Sequence, residues 1–208
     1  MTETIGVILA GGLARRFGGG DKCFLPLSGR SILDWIIERA RPQTTHLIIN
    51  ANGDPSRFRD YDLPVIADPV EGFQGPLAGI LAAMDWASSH HPNIKWIVSF
   101  PADAPFIPPE LVGRYLDAAE GQGVELVCAS SGGWTHPVCG LWSTSLAGDL
   151  RHALVEEKIK KIGLWTARHH LAEVKFEIEP FDPFFNINKS GDLLRAEEIA
   201  RIVTASSM

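Results

Sequence analysis

The chain has 208 residues, of which 45% are apolar and 21% are charged, and its formal net charge at pH 7 is −6. This length and apolar fraction are typical of a globular protein with a sizeable core and exclude an intrinsically disordered chain. The net negative charge argues against general nucleic-acid binding, and the longest segment without Asp, Glu, Lys or Arg, 126–148, is too polar to span a membrane.

The cysteine pattern indicates a reducing compartment. Cys23, Cys128 and Cys139 have the spacing of neither a disulfide framework nor a zinc site. Since the sequence also shows no secretory signal, we expect a cytoplasmic localisation. Cys23 directly follows Lys22, a neighbour expected to lower the pKa of its thiol, whereas the other two cysteines are expected to be buried and structural.

The first part of the chain alternates short apolar runs with segments of helical periodicity. In chain order, these patterns predict a strand at 5–10, a helix at 32–40 capped by Ser31, strands at 47–49 and 65–67, a helix at 76–88, a strand at 96–100, a helix at 110–119 and a strand at 126–129. Such alternation predicts right-handed crossovers and a mostly parallel sheet.

The alternation becomes less regular after about residue 130. Here we expect strands at 138–142 and 174–178, both antiparallel to their neighbours, and amphipathic helices at 146–156 and 193–203. The predicted fold class is therefore α/β, with three layers in which helices flank a mostly parallel, twisted sheet. No linker or repeat divides the sequence, so we expect a single domain over residues 1–208.

Unusual sequences follow several of the predicted strands. They are 11–22, 50–52, Asp68-Pro69 and 101–105. Because ligands of open parallel sheets bind beyond the carboxyl ends of the strands, these four segments are expected to meet at one ligand site.

The segment 9–22 has the composition of a phosphate-binding loop. It holds five glycines and three cations, Arg15, Arg16 and Lys22. Glycines allow backbone N–H groups to approach an anion closely, and the cations would neutralise a triphosphate. The spacing matches neither the dinucleotide-binding motif nor the P-loop, and a glycine-rich turn with surface cations is the alternative.

Asp103 is the candidate metal ligand. It follows a predicted strand and lies between Pro101 and Pro105, which restrict the backbone around it. A carboxylate held at a strand end opposite a phosphate loop suits magnesium (Mg²⁺), which bridges protein and phosphates. An ordinary aspartate in a proline-bounded turn is the alternative.

Further polar candidates have local alternatives of their own. Asn50 and Asp68 follow predicted strands and are suited either to ligand contact or to turn formation, as is Asn52. Asn186 and Asn188 alternate on an extended segment, so their side chains should face one side, although capping of the next helix is the alternative. His136, before Pro137, is interpreted as structural rather than as a general base.

These blocks together resemble a known family. The loop resembles that of nucleotidyltransferases of the sugar-nucleotide pyrophosphorylase type, and in particular the molybdenum cofactor guanylyltransferases, through Leu9-Ala10-Gly11-Gly12, Arg16-Phe17-Gly18-Gly19 and Asp21-Lys22. Further matching blocks follow in family order at 49–52, Asp68, 75–80, 101–106, 136–138 and 186–188. The sequence departs from the family pattern at Phe17, at Ala102 and over 189–191.

The resemblance implies a Rossmann-like nucleotidyltransferase fold, an activity and a set of site residues. The activity is transfer of GMP from GTP to the terminal phosphate of molybdenum-molybdopterin, with Mg²⁺, giving the guanine dinucleotide cofactor and pyrophosphate. The implied nucleotide-binding residues are Leu9, Ala10, Gly11, Gly12, Lys22, Asn50, Asp68 and Asp103. The implied catalytic residues are Arg16, Lys22 and Asp103, with Asp103 as metal ligand, and the implied pterin-binding residues are Asn186 and Asn188.

The resemblance also implies a division of the chain and a set of partners. Residues up to about 130 would bind the nucleotide and residues from about 131 to 208 the acceptor. Transient docking with cofactor-insertion proteins or molybdoenzymes is expected, without nucleic acid or membrane partners. The alternatives are a cytidylyltransferase acting on the same cofactor, another small nucleotidyltransferase of the sugar-phosphate type, and a non-catalytic nucleotide-binding partner.

Overall fold

The structure, a computed structural model, describes residues 2–11, 21–70 and 75–205. Its strands are β1 (Thr4–Leu9), β2 (Pro26–Leu27), β3 (Arg30–Ser31), β4 (His46–Asn50), β5 (Val65–Ile66), β6 (Trp96–Pro101), β7 (Leu126–Ser131), β8 (Trp134–Ser143) and β9 (Leu171–Phe176). Its α-helices are α1 (Ile32–Ala40), α2 (Pro76–His90), α3 (Leu111–Gln122), α4 (Ala147–Val155), α5 (Ile162–Thr166) and α6 (Ser190–Ala205). Short 3-10 helices cover Lys22–Phe24, Arg41–Gln43, Pro55–Tyr61 and Thr144–Leu146.

Seven of the strands form one sheet in the order β5-β4-β1-β6-β8-β7-β9, and β2 pairs with β3 in a separate hairpin. Within the seven-stranded sheet, β8 is antiparallel to β6 and β7, whereas the pairs β5–β4, β4–β1, β1–β6 and β7–β9 are parallel. The predicted mostly parallel α/β sheet is therefore confirmed.

The prediction for the last strand was wrong in direction. The strand predicted at 138–142 is antiparallel to its neighbours, as expected, but β9 is parallel to β7. The reason is its place at the edge of the sheet, where its only neighbour among the described strands is β7. Because β7 is antiparallel to β8, a strand that is parallel to β7 runs opposite to β8 without pairing with it. β7 and β8 are joined by a two-residue turn, Gly132-Gly133, in which both residues have positive φ, as a tight hairpin requires.

Helices cover both faces of the sheet and give the three predicted layers. Alternate residues of β1 point to opposite faces, with Ile5 and Val7 in one apolar cluster and Ile8 in another. The first cluster includes buried residues of α2, α4 and α5, and the second includes buried residues of α1, α3 and α6. No helix within 2–11, 21–70 and 75–205 is both long and apolar enough to cross a membrane.

Helix α1 begins where the sequence predicts. Ser31 Oγ accepts a hydrogen bond from the Asp34 backbone N–H at 3.0 Å, and the Asp34 carboxylate accepts one from the Ser31 N–H at 2.7 Å. This capping box satisfies two N–H groups at the helix start. The hairpin of β2 and β3 and the short helix α5 were not predicted, because such short elements carry too few residues for a periodic pattern.

The order of the strands creates a crevice at the middle of the sheet. The chain passes from β1 to β4 and β5 on one side and then returns to place β6 on the other side of β1. Leu9 of β1 and Pro101 of β6 are register partners at the carboxyl ends of these strands. Their connections diverge from this point, which is where ligands bind in open α/β sheets.

Candidate active site

A cleft of about 990 Å³ lies at this carboxyl edge of the sheet. Its volume is at the upper end of the range for small-molecule sites, which is consistent with room for two substrates. Every predicted site residue that the structure describes lines it, namely Leu9, Ala10, Gly11, Lys22, Asn50, Asp68, Asp103, Asn186 and Asn188. Gly12, Arg15 and Arg16 lie outside the described residues.

Lys22 joins three distant segments at the centre of the cleft. Its Nζ donates to Asp103 Oδ2 at 2.8 Å and to Asn188 Oδ1 at 2.7 Å. The side chains of Lys22 and Asp103 are 17% and 29% exposed, so the ion pair is only partly screened by water. Lys22 is the first residue of the 3-10 helix Lys22–Phe24, and Asp103 follows the end of β6. Both residues therefore lie at the crevice.

Backbone contacts hold Asp103 and Asn188 in this arrangement. The Ile187 N–H donates to the Asp103 carbonyl oxygen at 3.0 Å. Ile187 is fully buried, while Asn186 and Asn188 on either side of it face the cleft, as the alternation predicts. The Asp192 carboxylate accepts bonds from the Asn188 and Lys189 N–H groups at the start of α6. The Asn188 side chain is therefore free to reach Lys22 while its backbone supports the helix.

Asn50, Asn52 and Asp68 form a second polar group on the β4 and β5 side of the cleft. Asn50 Nδ2 donates to Asp68 Oδ1 at 3.0 Å, and Asn52 Nδ2 donates to Asp68 Oδ2 at 2.7 Å. The Asp68 N–H in turn donates to Asn52 Oδ1 at 2.9 Å. Both carboxylate oxygens of Asp68 thus accept hydrogen bonds from side-chain amides. Asn52, for which the sequence allowed either ligand contact or turn formation, is part of this group.

Helix α2 passes close to this polar group at Gly79. A Cβ at this position would lie 2.3 Å from Asn50 Oδ1 and 2.6 Å from Leu9 Cδ2. Glycine fits here without strain, whereas a methyl group would force the side chains of Asn50 and Leu9 to move. The side chains of Leu9 and Asn50 therefore occupy space that a side chain at position 79 of α2 would fill.

Arg57 is a cleft residue that the sequence did not indicate. Its Nη2 donates to the Asn52 carbonyl oxygen, and its Nε lies 2.9 Å from Asp21 Oδ2 in an ion pair without hydrogen-bond alignment. The Asp21 side chain is only 8% exposed. Arg57 therefore links the residue before Lys22 to the Asn52 end of the cleft.

A bulge in β8 forms the opposite wall. Cys128 and Ala129 are neighbours on β7, but their partners on β8 are Gly140 and His136, so the three residues between these two have no register partner on β7. Bulges of this kind often turn side chains toward a site. Buried Ser99 supports this one, since its Oγ donates to the Val138 carbonyl oxygen at 2.7 Å and accepts from Trp142 Nε1 at 2.8 Å.

The cysteines differ in part from the prediction. Cys23 is buried, and this burial, with a smaller effect of Asp21, raises the pKa of its thiol to about 12. The expectation of a lowered pKa was wrong because removal from water outweighs the lowering effects of a backbone hydrogen bond and of Arg57. Cys128 and Cys139 are buried and free, as predicted, and burial also raises the pKa of each to about 12.

Asp103 offers the cleft a partly exposed carboxylate, the type of group that binds divalent cations. Within the described ranges, no group of three or more His, Cys, Asp or Glu side chains could enclose a metal ion. The contact between Lys22 Nζ and Asp103 Oδ2 shows that this oxygen faces a cationic group in the cleft. A single carboxylate of this kind fits Mg²⁺, which commonly binds one or two carboxylates together with substrate phosphates and water.

The chain is similar to known proteins over most of its length. The family model of the MobA-like NTP transferase domain matches residues 6–171. A molybdenum cofactor guanylyltransferase from Bradyrhizobium sp. (strain ORS 278) is 51% identical over 199 residues, which cover 96% of this chain and 94% of the relative.

Solved structures share the fold. The molybdopterin-guanine dinucleotide biosynthesis protein A of Archaeoglobus fulgidus superimposes with a TM-score of 0.74 at 26% identity, covering 95% of this chain and 98% of that protein. A Mycobacterium tuberculosis H37Rv protein crystallised in complex with manganese has a TM-score of 0.68 at 21% identity, covering 95% and 99% of the two chains. These likenesses confirm the fold expected from the sequence resemblance.

Proposed function

Because the chain belongs to the MobA-like NTP transferase family and is a nucleotidyltransferase, we propose that it transfers GMP from GTP to the terminal phosphate of molybdenum-molybdopterin. Pyrophosphate is the second product. The observation that carries this proposal is the meeting of Lys22, Asp103 and Asn188 between the two walls of one cleft. Such a site has room for a nucleotide on the β4 and β5 side and for an acceptor on the β8 side.

The nucleotide half-site would hold GTP through its phosphates and its nucleoside. The backbone at Gly11 follows β1 into the cleft and is suited to the phosphates, as are the Gly12 and Arg16 positions implied by the resemblance. The N–H of Ala10 already donates to the Asn50 carbonyl oxygen at 2.8 Å, so Ala10 would contact the nucleotide by packing. Asn50 and Asp68 would seat the nucleoside, because their amide and carboxylate groups are already held by hydrogen bonds. Preorganised polar groups lose little entropy when the ligand binds.

The acceptor half-site would orient the attacking phosphate. The Asn186 and Asn188 amides line the cleft on this side, and Asn188 also contacts Lys22. The terminal phosphate of the acceptor is already an anion at neutral pH, so attack on the α-phosphorus of GTP needs no general base. Catalysis would then depend on alignment and on neutralisation of charge.

Lys22 and Asp103 would supply that neutralisation at the junction of the two half-sites. Lys22 would stabilise the departing pyrophosphate, since its side chain lines the cleft and carries an ammonium group that can bind phosphate oxygens. Asp103 would hold Mg²⁺, whose charge offsets that of the α-phosphate oxygens when the ion is bound. The net charge of the chain, −6, supports a role for Lys22 in substrate binding, because an acidic protein must concentrate cations locally to bind two anionic substrates.

The proposal is tested by release of pyrophosphate from Mg-GTP in the presence of molybdopterin. We expect product with GTP and much less with CTP or UTP at equal concentration. Preference for CTP would identify a cytidylyltransferase, and turnover with a sugar phosphate in place of molybdopterin would identify a sugar-phosphate enzyme. Tight GTP binding without pyrophosphate release under any of these conditions would identify a non-catalytic nucleotide-binding protein.

The proposal has consequences for the whole chain. Residues to about 130 would form the nucleotide-binding part and residues 131–208 the acceptor-binding part of a single domain. The reaction would take place in the cytoplasm, and its product would pass to a cofactor-insertion protein or molybdoenzyme that docks transiently at the cleft.

A further inference from the structure

His136 is anchored in the acceptor wall by a buried hydrogen-bond relay. Its Nε2 lies 2.7 Å from Ser131 Oγ, and Ser131 Oγ donates to Asp182 Oδ1 at 2.8 Å. Ser131 is 2% exposed, at the carboxyl end of β7. The imidazole also stacks on Phe184, with 4.7 Å between ring centroids, and both rings line the cleft.

The relay determines which ring nitrogen carries the proton. A serine hydroxyl has one hydrogen, and Ser131 directs it to the Asp182 carboxylate, which can only accept. Ser131 Oγ must then accept from His136, so Nε2 is the protonated nitrogen. Burial lowers the pKa of His136 below its ordinary value of 6.5, against an opposing effect of Asp182, so the neutral imidazole predominates at pH 7. Nδ1 is consequently left as a hydrogen-bond acceptor.

No described residue forms a hydrogen bond with Nδ1. A neutral acceptor at this position disfavours an anion and favours an N–H group, and the Phe184 ring beside it suits an aromatic ligand. Lys22 and Asp103, the ion pair at the centre of the cleft, belong to segments of the chain other than those that carry His136 and Phe184.

We infer that His136 is a specificity-determining residue of the acceptor half-site, whose Nδ1 accepts a hydrogen bond from an N–H or amino group of the pterin ring. This inference rests on the proposed function, because it assigns a role within the proposed acceptor site. Ser131 and Asp182 are positioning residues that act through the imidazole. A pterin carries such donors on its pyrimidine edge, whereas a sugar phosphate offers only hydroxyls and phosphate oxygens.

Two substitutions of His136 distinguish the contribution of Nδ1 from that of Nε2. His136→Gln places an amide N–H near the position of Nε2 and keeps the contact with Ser131, but it removes the acceptor at Nδ1. His136→Asn places an amide oxygen near Nδ1 and loses the contact with Ser131. His170→Gln, at an exposed position, is the matched control. Thermal unfolding of each variant checks that the fold is retained.

The variants are compared in the KM for molybdopterin, the KM for GTP and the direct binding of a simple pterin without phosphate. We expect His136→Gln to raise the molybdopterin KM and the pterin Kd about tenfold, corresponding to loss of one hydrogen bond, with the GTP KM unchanged. His136→Asn should restore most of this loss, and Ser131→Ala should raise the molybdopterin KM by a smaller factor.

The inference is overturned if His136→Gln binds pterin as tightly as the native protein, or if His136→Asn binds pterin more weakly than His136→Gln. It is also overturned if every variant loses affinity for GTP and for pterin by the same factor. Each of these outcomes leaves pyrophosphate release by the native protein intact. Failure of the proposed function has a different signature, since the native protein itself would then transfer no GMP to molybdopterin.

Discussion

Lys22 Nζ lies 2.8 Å from Asp103 Oδ2, although the two residues are 81 positions apart in the chain. The contact follows from the pairing of β1 with β6, which brings the segments after both strands to one crevice. The same lysine contacts Asn188 near the other end of the chain. This ion pair is therefore the point at which the proposed nucleotide and acceptor half-sites meet.

Substitution of Asp103 tests the proposed metal ligand. Asp103→Asn keeps the size of the side chain and an oxygen that can accept from Lys22, but it removes the negative charge that would hold Mg²⁺. We expect kcat/KM to fall about 100-fold or more, with the thermal unfolding midpoint little changed. Asp60→Asn is the control, since that side chain is 88% exposed. Near-native turnover of Asp103→Asn at ordinary Mg²⁺ concentrations would contradict the assignment.

Substitution of Lys22 tests which substrate this residue serves. Lys22→Met removes the ammonium group, so we expect a raised KM for GTP and a reduced kcat in steady-state assays with both substrates varied. Lys22→Arg keeps the charge but replaces a compact ammonium with a planar group, and it should recover only part of the activity. Lys95→Met, at an exposed position, serves as the control. A change confined to the molybdopterin KM would move Lys22 to the acceptor half-site.

Gly79 offers a test of the packing beneath the nucleotide site. In Gly79→Ala, the added methyl group would overlap Asn50 Oδ1 and Leu9 Cδ2, so we expect a loss of about 1–3 kcal/mol in the free energy of unfolding and weaker GTP binding. Gly113→Ala is the matched control, because Gly113 lies in α3 and a Cβ there would have no heavy atom of a neighbouring described segment within 4 Å. That change should stabilise the protein by about 0.5–1 kcal/mol. Equal urea unfolding curves for the two variants would refute the packing argument.

Burial of the thiols predicts resistance to alkylation. With a pKa of about 12, each cysteine has about one thiolate in 10⁴ at pH 8, and its sulfur is also shielded by the core. We expect no incorporation of iodoacetamide into the native protein over a time that labels all three cysteines in urea, as read by mass spectrometry. Rapid labelling of Cys23 in the native protein would instead favour the lowered pKa expected from its neighbour Lys22.

Much of the fold and of the candidate site could be predicted from local sequence. Apolar runs identify β1, β4 and β6, because strands buried on both faces exclude polar residues. Once a parallel sheet is inferred, the residues after these strands must share one edge. Asn50, Asp68 and Asp103 could therefore be grouped before any contact between them was known.

Other features depend on contacts that no local pattern encodes. The direction of β9 follows from its neighbour in the sheet, and the positions of Arg57 and Asn52 follow from where the 3-10 helix Pro55–Tyr61 lies against Asp21. The sequence predicts a structural role for His136 from its place before Pro137, whereas its link through Ser131 to Asp182 depends on the tertiary fold.

The sequence alone determined which residues have the chemistry to bind phosphate, metal and polar rings, since composition and strand ends are local properties. Only the tertiary structure decided how these groups are paired. The protonation of His136, the high pKa of Cys23 and the ion pair of Lys22 with Asp103 all depend on burial and on distances across the sheet. Those distances are fixed by strand order and by the bulge in β8, because both bring residues together that are far apart in the chain.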